Sequence, residues 1–320
     1  MNNKLILGMT LLDLKGFGKV KVRNIMESIP FLPNSSNDVI DLLDEYILQT
    51  NKKLPEYDHS SIHLAMDRAQ RVLDNCLEAG INIDFIDSND ERQWVRRYAT
   101  IPSPPIMLFS LGDTSAMDMP TVAIIGTRKP TSIGSVMAER VTEKFVEHNF
   151  CIVSGLAMGC DIKAHQSALS NQGLTSAILA HGLNEVHPVQ HTEIALEIIE
   201  KGGCLISEYP PGTPIERGYY IERDRLQSGG SLGVVVIETS IDGGSFHTAR
   251  FAEKQKRFLA SLDHPNKYHH LESVKGNRKL ISNGAIAIWD ESSLIQFLEK
   301  LKSESNLVVD ASPKQETFFD

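Results

Sequence analysis

The chain has 320 residues, of which 41% are hydrophobic and 23% charged, proportions that exclude a disordered, collagen-like or coiled-coil protein and leave room for about two domains. No run approaches the roughly 20 apolar residues of a membrane span, and MNNKLILGMTLLDLKG has no small-residue cleavage site behind its apolar stretch, so the expectation is an unprocessed cytoplasmic protein with no membrane contact. A formal charge of −9 argues against a surface that coats nucleic acid on all sides but leaves room for a local basic groove.

The first 75 residues carry helical apolar spacings: Leu5, Leu7, Leu11 and Leu12, then Val39, Leu42, Leu43, Tyr46 and Ile47, then Ile62, Leu64, Met66, Ala69 and Val72. Within them, Leu14 to Ile25 (LKGFGKVKVRNI) has the pattern of a helix-hairpin-helix. Its glycine turn and Lys15, Lys19, Lys21 and Arg23 could meet a phosphate, or the turn could simply join two helices. The segment ATIPSPPIMLFSLGD, with three prolines, reads as an extended connector. The expected division is a helical part over 1–110, a second domain over 111–303 and a flexible tail over 304–320.

Past the connector, short β-branched runs alternate with helical stretches: TVAIIG at 121, FCIVSG at 150, TSAILAHG at 175, CLISEY at 204, LGVVVIET at 232, RFLASL at 257 and AIAIWD at 285. This pattern predicts an α/β fold, a doubly wound, mostly parallel sheet whose ligand lies at the carboxyl ends of the strands.

Three loops suit an anion. Gly126-Thr127-Arg128-Lys129 follows the first run and precedes a helix, so its backbone N–H groups and the Arg128 fork fit a phosphate, although it is neither GxGxxG nor a Walker A sequence. Ser154-Gly155-Leu156-Ala157-Met158-Gly159 follows the second run, with Asp161 as the expected N-cap of the next helix. Gly243-Gly244-Ser245-Phe246-His247-Thr248 opens a third helix, which makes Gly244, Ser245 and Thr248 candidates. Between them, Arg217, Arg223 and Arg225 cluster with Tyr219 and Tyr220, the mixture of cations and stacking rings favoured by single-stranded nucleic acid, while Glu216, Glu222 and Asp224 offer the same arginines internal partners. Residues 120 to 260 hold 13 Lys and Arg against 15 Asp and Glu, so most of the acidity lies elsewhere. No cofactor fingerprint is present. His165 reads as structural, and His181, His187 and His191 lack the register of a metal site. Cys76, Cys151, Cys160 and Cys204 are spaced like reduced buried thiols, unlike zinc ligands or disulfides.

Taken in order, GTRKPTSIG, SGLAMGCDIKAH, AHGLNEVHP, SEYPPGTP, YYIERDRLQSGGSLGVVVIET, GGSFHTARFAEKQKR and GNRKLISNGA resemble the DNA-processing protein A family (DprA, also called Smf) over about residues 95 to 290. The resemblance implies an extended Rossmann-like domain that binds single-stranded DNA, often as a homodimer, aids loading of the RecA recombinase in natural transformation, and is not an enzyme. It carries the family's DNA-contacting positions onto Arg128, the loop from Ser154 to Gly159, and Arg223 and Arg225. Two departures weaken this expectation: Met158 stands where the family has Lys, and the family's phenylalanine-proline-x-Arg-Asn-Arg stretch appears as Tyr220-Ile221-Glu222-Arg223-Asp224-Arg225, which adds an acid beside the arginines. The expected room after residue 303 is too small for the winged-helix domain of some members. The alternative is a nucleotide sensor or nucleoside-monophosphate hydrolase of a related class, but the glycine-rich segment at 243 lacks a nearby catalytic Glu before Glu253. The C-terminal Gln315 to Phe319 resembles peptides that dock in the bacterial sliding clamp, and the two adjacent aromatics could equally pack on their own domain.

Overall fold

A computed structural model describes residues 2–28 and 32–310, with side chains through residue 304. The anticipated clamp peptide at 315–319 lies outside the described residues. The chain divides into two units: Met1–Gly112 with Leu179–Glu185 and Leu205–Tyr219, and Asp113–Ile178 with Val186–Cys204 and Tyr220–Asp320.

The first unit begins with α1 (Asn2–Asp13) and α2 (Lys19–Ser28), joined by a turn in which Gly16 has φ 84°. Next come α3 (Ser36–Thr50) and α4 (His59–Glu78), each opened by a capping box: Ser35 with Asp38, and Asp58 with Ser61. The apolar faces of α1 and α3 pack on α4. Of the cations around the helical hairpin, Lys21 donates to Gly16 O at 3.2 Å, Lys19 lies 2.9 Å from Glu208 Oε1, and Arg23 donates to Ile86 O and Pro105 O. Three of the four thus stabilise the unit itself. Two strands escaped the sequence reading: β1 (Asn82–Phe85) and, beyond α5 (Gln93–Ala99), β2 (Met107–Gly112), which pair antiparallel. Four residues with Asn and Asp among them carry no strand signal. Asp84 is tolerated there because Arg92 and the Ser110 hydroxyl both bond its carboxyl group. The proline-rich connector therefore ends in a paired strand.

From here the elements alternate: β3 (Thr121–Ile125), α6 (Ser132–Glu147), β4 (Cys151–Ser154), α7 (Cys160–Ser170), β5 (Thr175–Leu179), α8 (Thr192–Glu200), β6 (Cys204–Ser207), α9 (Arg217–Gly229), β7 (Gly233–Val236), α10 (Gly244–Lys254), β8 (Phe258–Leu262), α11 (Glu272–Ser282), β9 (Ile286–Ile288) and α12 (Glu291–Asp310). All seven anticipated strands form. In the second unit β5-β4-β3-β7-β8-β9 lie side by side and parallel. Every residue of β3, β4 and β7 is buried, which is why those runs are continuously apolar.

Alternate strand residues such as Val122, Ile124, Val235 and Leu262 pack on α6, α7 and α12, whereas α10 and α11 rest on β7 and β8 and contribute nothing to that cluster. The mostly parallel, Rossmann-like arrangement expected from the sequence is present. The chain proceeds outward from β3 through β4 and β5, then returns to β7 on its other side. Strand order therefore reverses between β3 and β7, and a crevice is expected outside their carboxyl ends. Helix α12 continues to Asp310, into the segment anticipated as a tail. All four cysteines are buried and free, and among the described residues no helix is long and apolar enough to cross a membrane.

Phe145 anchors the α6 face edge-on to Phe150 (5.2 Å between ring centroids, 77°) and to Phe297 of α12 (6.4 Å, 84°). Phe145→Ala is expected to lower the unfolding free energy by about 3–5 kcal/mol, read as a reduced urea midpoint at unchanged m-value.

Candidate nucleic-acid interface

The crevice at the strand reversal is a cleft of about 330 Å³, bounded by the loops after β3 and β4, by α9 and by the start of α10. Its first wall is not the open phosphate loop suggested by the sequence. Glu238, which follows β7 and is fully buried, reaches the first turn of α6, where its carboxyl oxygens accept from the Thr131 N–H (2.8 Å) and the Thr131 hydroxyl. Thr131 in turn caps the helix by accepting from Gly134 N–H. A Cβ at position 134 would collide with this carboxyl group, so Gly134 leaves the space Glu238 fills. The chain thus supplies its own oxygen ligand to the α6 N-terminus.

The second loop is closed in the same way. Asp161 lies in the first turn of α7, whose N-cap is Gly159 rather than Asp161: the backbone there has φ 83°, and a Cβ would strike the carbonyl of Thr127. The Asp161 carboxyl accepts from Gly155 N–H at 3.2 Å and also from the Ala157 backbone. Ser154 donates to Ile124 O at 2.7 Å and points into the structure. His165 is buried against Thr175 Oγ1 at 2.7 Å, and burial, reinforced by His191 and Arg223, pushes it down to about 3. It is a neutral core histidine. Burial holds the Cys160 thiol well above its usual range. No group of three or more His, Cys, Asp or Glu able to hold a metal occurs among the described residues.

Helix α9 supplies the third wall, and its arginines face inward. Arg223 is buried and donates to Gly155 O at 3.0 Å and Ile178 O at 2.7 Å, with Nε 3.3 Å from Asp224 Oδ1. Arg225 is also buried, with Nε 3.6 Å from Glu222 Oε2. Burial pushes the Asp224 carboxyl up to about 7; Arg223 opposes the shift and Asp161 adds to it. The Asp161 carboxyl is raised by burial in the same way.

Three features remain open to a ligand. Arg128 is exposed, with its guanidinium 5.0 Å from the centroid of the Tyr220 ring. Helix α10 begins at Gly243 without a side-chain cap, and Gly244 faces open space. Thr248, one turn further on, lines the cleft.

Eight anticipated residues therefore meet at this cleft: Gly126, Thr127, Arg128, Tyr220, Arg223, Gly244, Ser245 and Thr248. Lys129 is exposed beside it. Ser154, Gly155, Gly159 and Arg225 do not line it, and Tyr219 belongs to the first unit, where it stacks on Tyr209 (4.1 Å, 26°). The sequence reading missed Glu238 and the inward role of Asp161. The available signal was an acidic residue ending an otherwise apolar, doubly covered strand.

A parallel sheet with a strand-order reversal, and glycine-rich helix starts beside a cation and a ring, define a Rossmann-like α/β protein with a phosphate-suited cleft. Residues 85–299 match the family model of DNA recombination-mediator protein A, and the chain belongs to that family. The Smf protein of Synechocystis is 38% identical over 213 residues, covering 65% of this chain and 52% of that protein. The DNA processing protein DprA of Bacillus subtilis is 32% identical over 233 residues, covering 71% and 75%. The chain thus spans about half to three quarters of these relatives. The structure of DNA processing protein A from Helicobacter pylori, reported for its single-stranded DNA binding mode, superposes with a TM-score of 0.59 at 26% identity, over 70% of this chain and 97% of that one. The Streptococcus pneumoniae DprA structure shares the fold, with a TM-score of 0.63 at 24% identity over 87% and 97%.

Glu238→Ala is expected to destabilise the protein by about 1–3 kcal/mol, since it strips partners from buried donors, and to open a new anion site at α6. Added sulfate should then raise the melting temperature of the variant more than that of the wild type. Between pH 7 and 4 the native state holds a proton on Asp224 that the unfolded chain, near 3.8, does not, so this residue's burial penalty is relieved as pH falls and present in full above 7. His165 acts oppositely below 6.5, because the folded form stays neutral. Asp224→Asn should therefore be more stable than wild type at pH 8 by up to about 4 kcal/mol, an advantage that vanishes by pH 4 in chemical denaturation.

Proposed function

We propose that this protein binds single-stranded DNA through the cleft of its second unit, in DNA uptake or recombination, and that it acts as a homodimer that helps load the RecA recombinase. The observation that carries the reading is the pairing of exposed Arg128 with the Tyr220 ring beside the uncapped start of α10. The cation and the helix N–H groups suit a phosphate, and the ring offers a face to a base. Membership of the family and the single-stranded DNA binding described for the Helicobacter pylori relative support the choice of ligand. The protein's role is binding and positioning; Glu253, the first Glu after the glycine-rich turn, lies exposed.

With Arg223 and Arg225 buried among carboxyl groups, few cations contact the strand, and geometry contributes more than net field. A second reading, a sensor of single nucleotides, draws on the small volume of the cleft. The two are separated by competition between oligothymidine and thymidine monophosphate. For the leading reading, fluorescence anisotropy should give a log K against log salt slope of only about −1.4 to −2.1, corresponding to two or three phosphates at about −0.7 each. Arg128→Glu should weaken binding at least tenfold and make the slope shallower. Unchanged affinity in that variant contradicts the assignment.

A further inference from the structure

The buried charges beside the cleft do not balance. Arg223 contributes one positive charge, and Asp161 and Asp224 would contribute two negative ones if both were ionised, all three largely withdrawn from water and all lining the cleft. Two groups differ in how firmly they are held. Asp161 accepts from the backbone of Gly155 and Ala157, which fixes it as a hydrogen-bond acceptor. Asp224 has only the neighbouring Arg223 as a charged partner in contact, 3.3 Å away. Around Asp224 the charged groups are Arg223 on α9, Asp161 on α7 and Arg128 on the loop after β3; α10 presents Gly243, Gly244, Ser245 and Thr248 to the cleft, none of them charged.

An open position for a ligand oxygen lies opposite. Thr248 is only 1% exposed and lines the cleft, and its side chain makes no hydrogen bond among the described residues. It stands one turn above the uncapped start of the eleven-residue helix α10. The hydroxyl of this largely buried side chain, the N–H groups at the uncapped start of α10 and Arg128 together form a seat for one phosphate group. A phosphodiester brings one negative charge. With Asp224 ionised, that charge joins a surplus acid; with Asp224 protonated, Arg128, Arg223, Asp161 and the phosphate sum to zero.

We infer that the cleft is a proton-linked phosphate seat, in which Arg128, Thr248 and the first turn of α10 hold one phosphate group and Asp224 takes up one proton as that group enters. The proton comes from solvent and sits on a carboxyl oxygen; no covalent bond to the ligand forms. The inference rests on reading the cleft as a phosphate site. It makes Asp224 the residue that sets the pH range over which the ligand binds.

The test is isothermal titration of the full chain with oligothymidine and, separately, with thymidine monophosphate. Titrations run from pH 7 to 8.5 at constant ionic strength, above the range of ordinary surface histidines, in two buffers of different ionisation enthalpy. Wild-type affinity should fall by up to about tenfold per pH unit above 7, with close to one proton taken up per site at the upper end. Asp224→Asn should bind with no proton uptake and a flat pH profile. Thr248→Ala should weaken binding severalfold and keep the wild-type slope, which separates loss of a contact from loss of the titrating group.

Wild-type binding without proton uptake, or an Asp224→Asn variant that keeps the slope, overturns the inference while leaving DNA binding intact. Proton-linked binding of thymidine monophosphate alone, with the proton uptake lost in Asp224→Asn, would sustain the seat and overturn the DNA reading; uptake that persists in Asp224→Asn belongs to the ligand's own phosphate and overturns the inference. Binding of neither ligand overturns both.

Discussion

Parallel strands that end in turns to helices leave rows of backbone N–H groups pointing out of the sheet, and these must find oxygen atoms. In this protein two of the three relevant strand-to-helix loops are satisfied from within. Glu238 bonds the first turn of α6, and Asp161 gathers the loop after β4. Their positions explain the small residues around them, since Gly134 makes room for one carboxyl group and Gly159 lets the two loops touch backbone to backbone. They also bear on where a ligand can bind, because the start of α10 at the cleft carries no such side-chain oxygen among the described residues.

The same arrangement requires cations inside. Arg223 sits under the second loop, bonded to the carbonyls of Gly155 and Ile178, and so joins β4 and β5 to α9. A guanidinium withdrawn from water in this way needs compensation, and Asp161 and Asp224 provide more than it requires. A cluster with one carboxyl group in excess keeps a proton within reach of neutral pH. The arginine-rich look of α9 is thus the requirement of a buried network, and the positive character of the cleft mouth falls to Arg128 and Lys129, which are exposed.

This division marks what the sequence could disclose. The seven principal strands were legible because doubly covered strands are continuous β-branched runs bounded by glycine, and the crevice followed from their parallel order. The family was legible because seven motifs occur in sequence. By contrast, β1 was invisible: NIDF has no alternation, and its Asp84 is acceptable only through Arg92 and Ser110, 8 and 26 positions further along the chain. Residue type also failed to separate a ligand cation from a structural one. Arg128 and Arg223 both follow patterns suited to phosphate, and only burial distinguishes them. Glu238 was overlooked because its partner, Thr131, is 107 positions away.

The distinction governs how substitutions here are to be interpreted. Removing the side chain of Arg223 would take a donor from two backbone carbonyls and the nearest counter-charge from two buried carboxyl groups, so the loop from Gly155 to Cys160 would lose its support. A loss of affinity in such a variant would report on the scaffold. Arg128 carries less of that burden, since its contact is the face of Tyr220 and Asp224 feels only its charge. A change there alters the cleft mouth and leaves the wall standing. Where an inward arginine and an outward one flank the same cleft, only the outward one isolates the strength of the ligand contact from the strength of the fold.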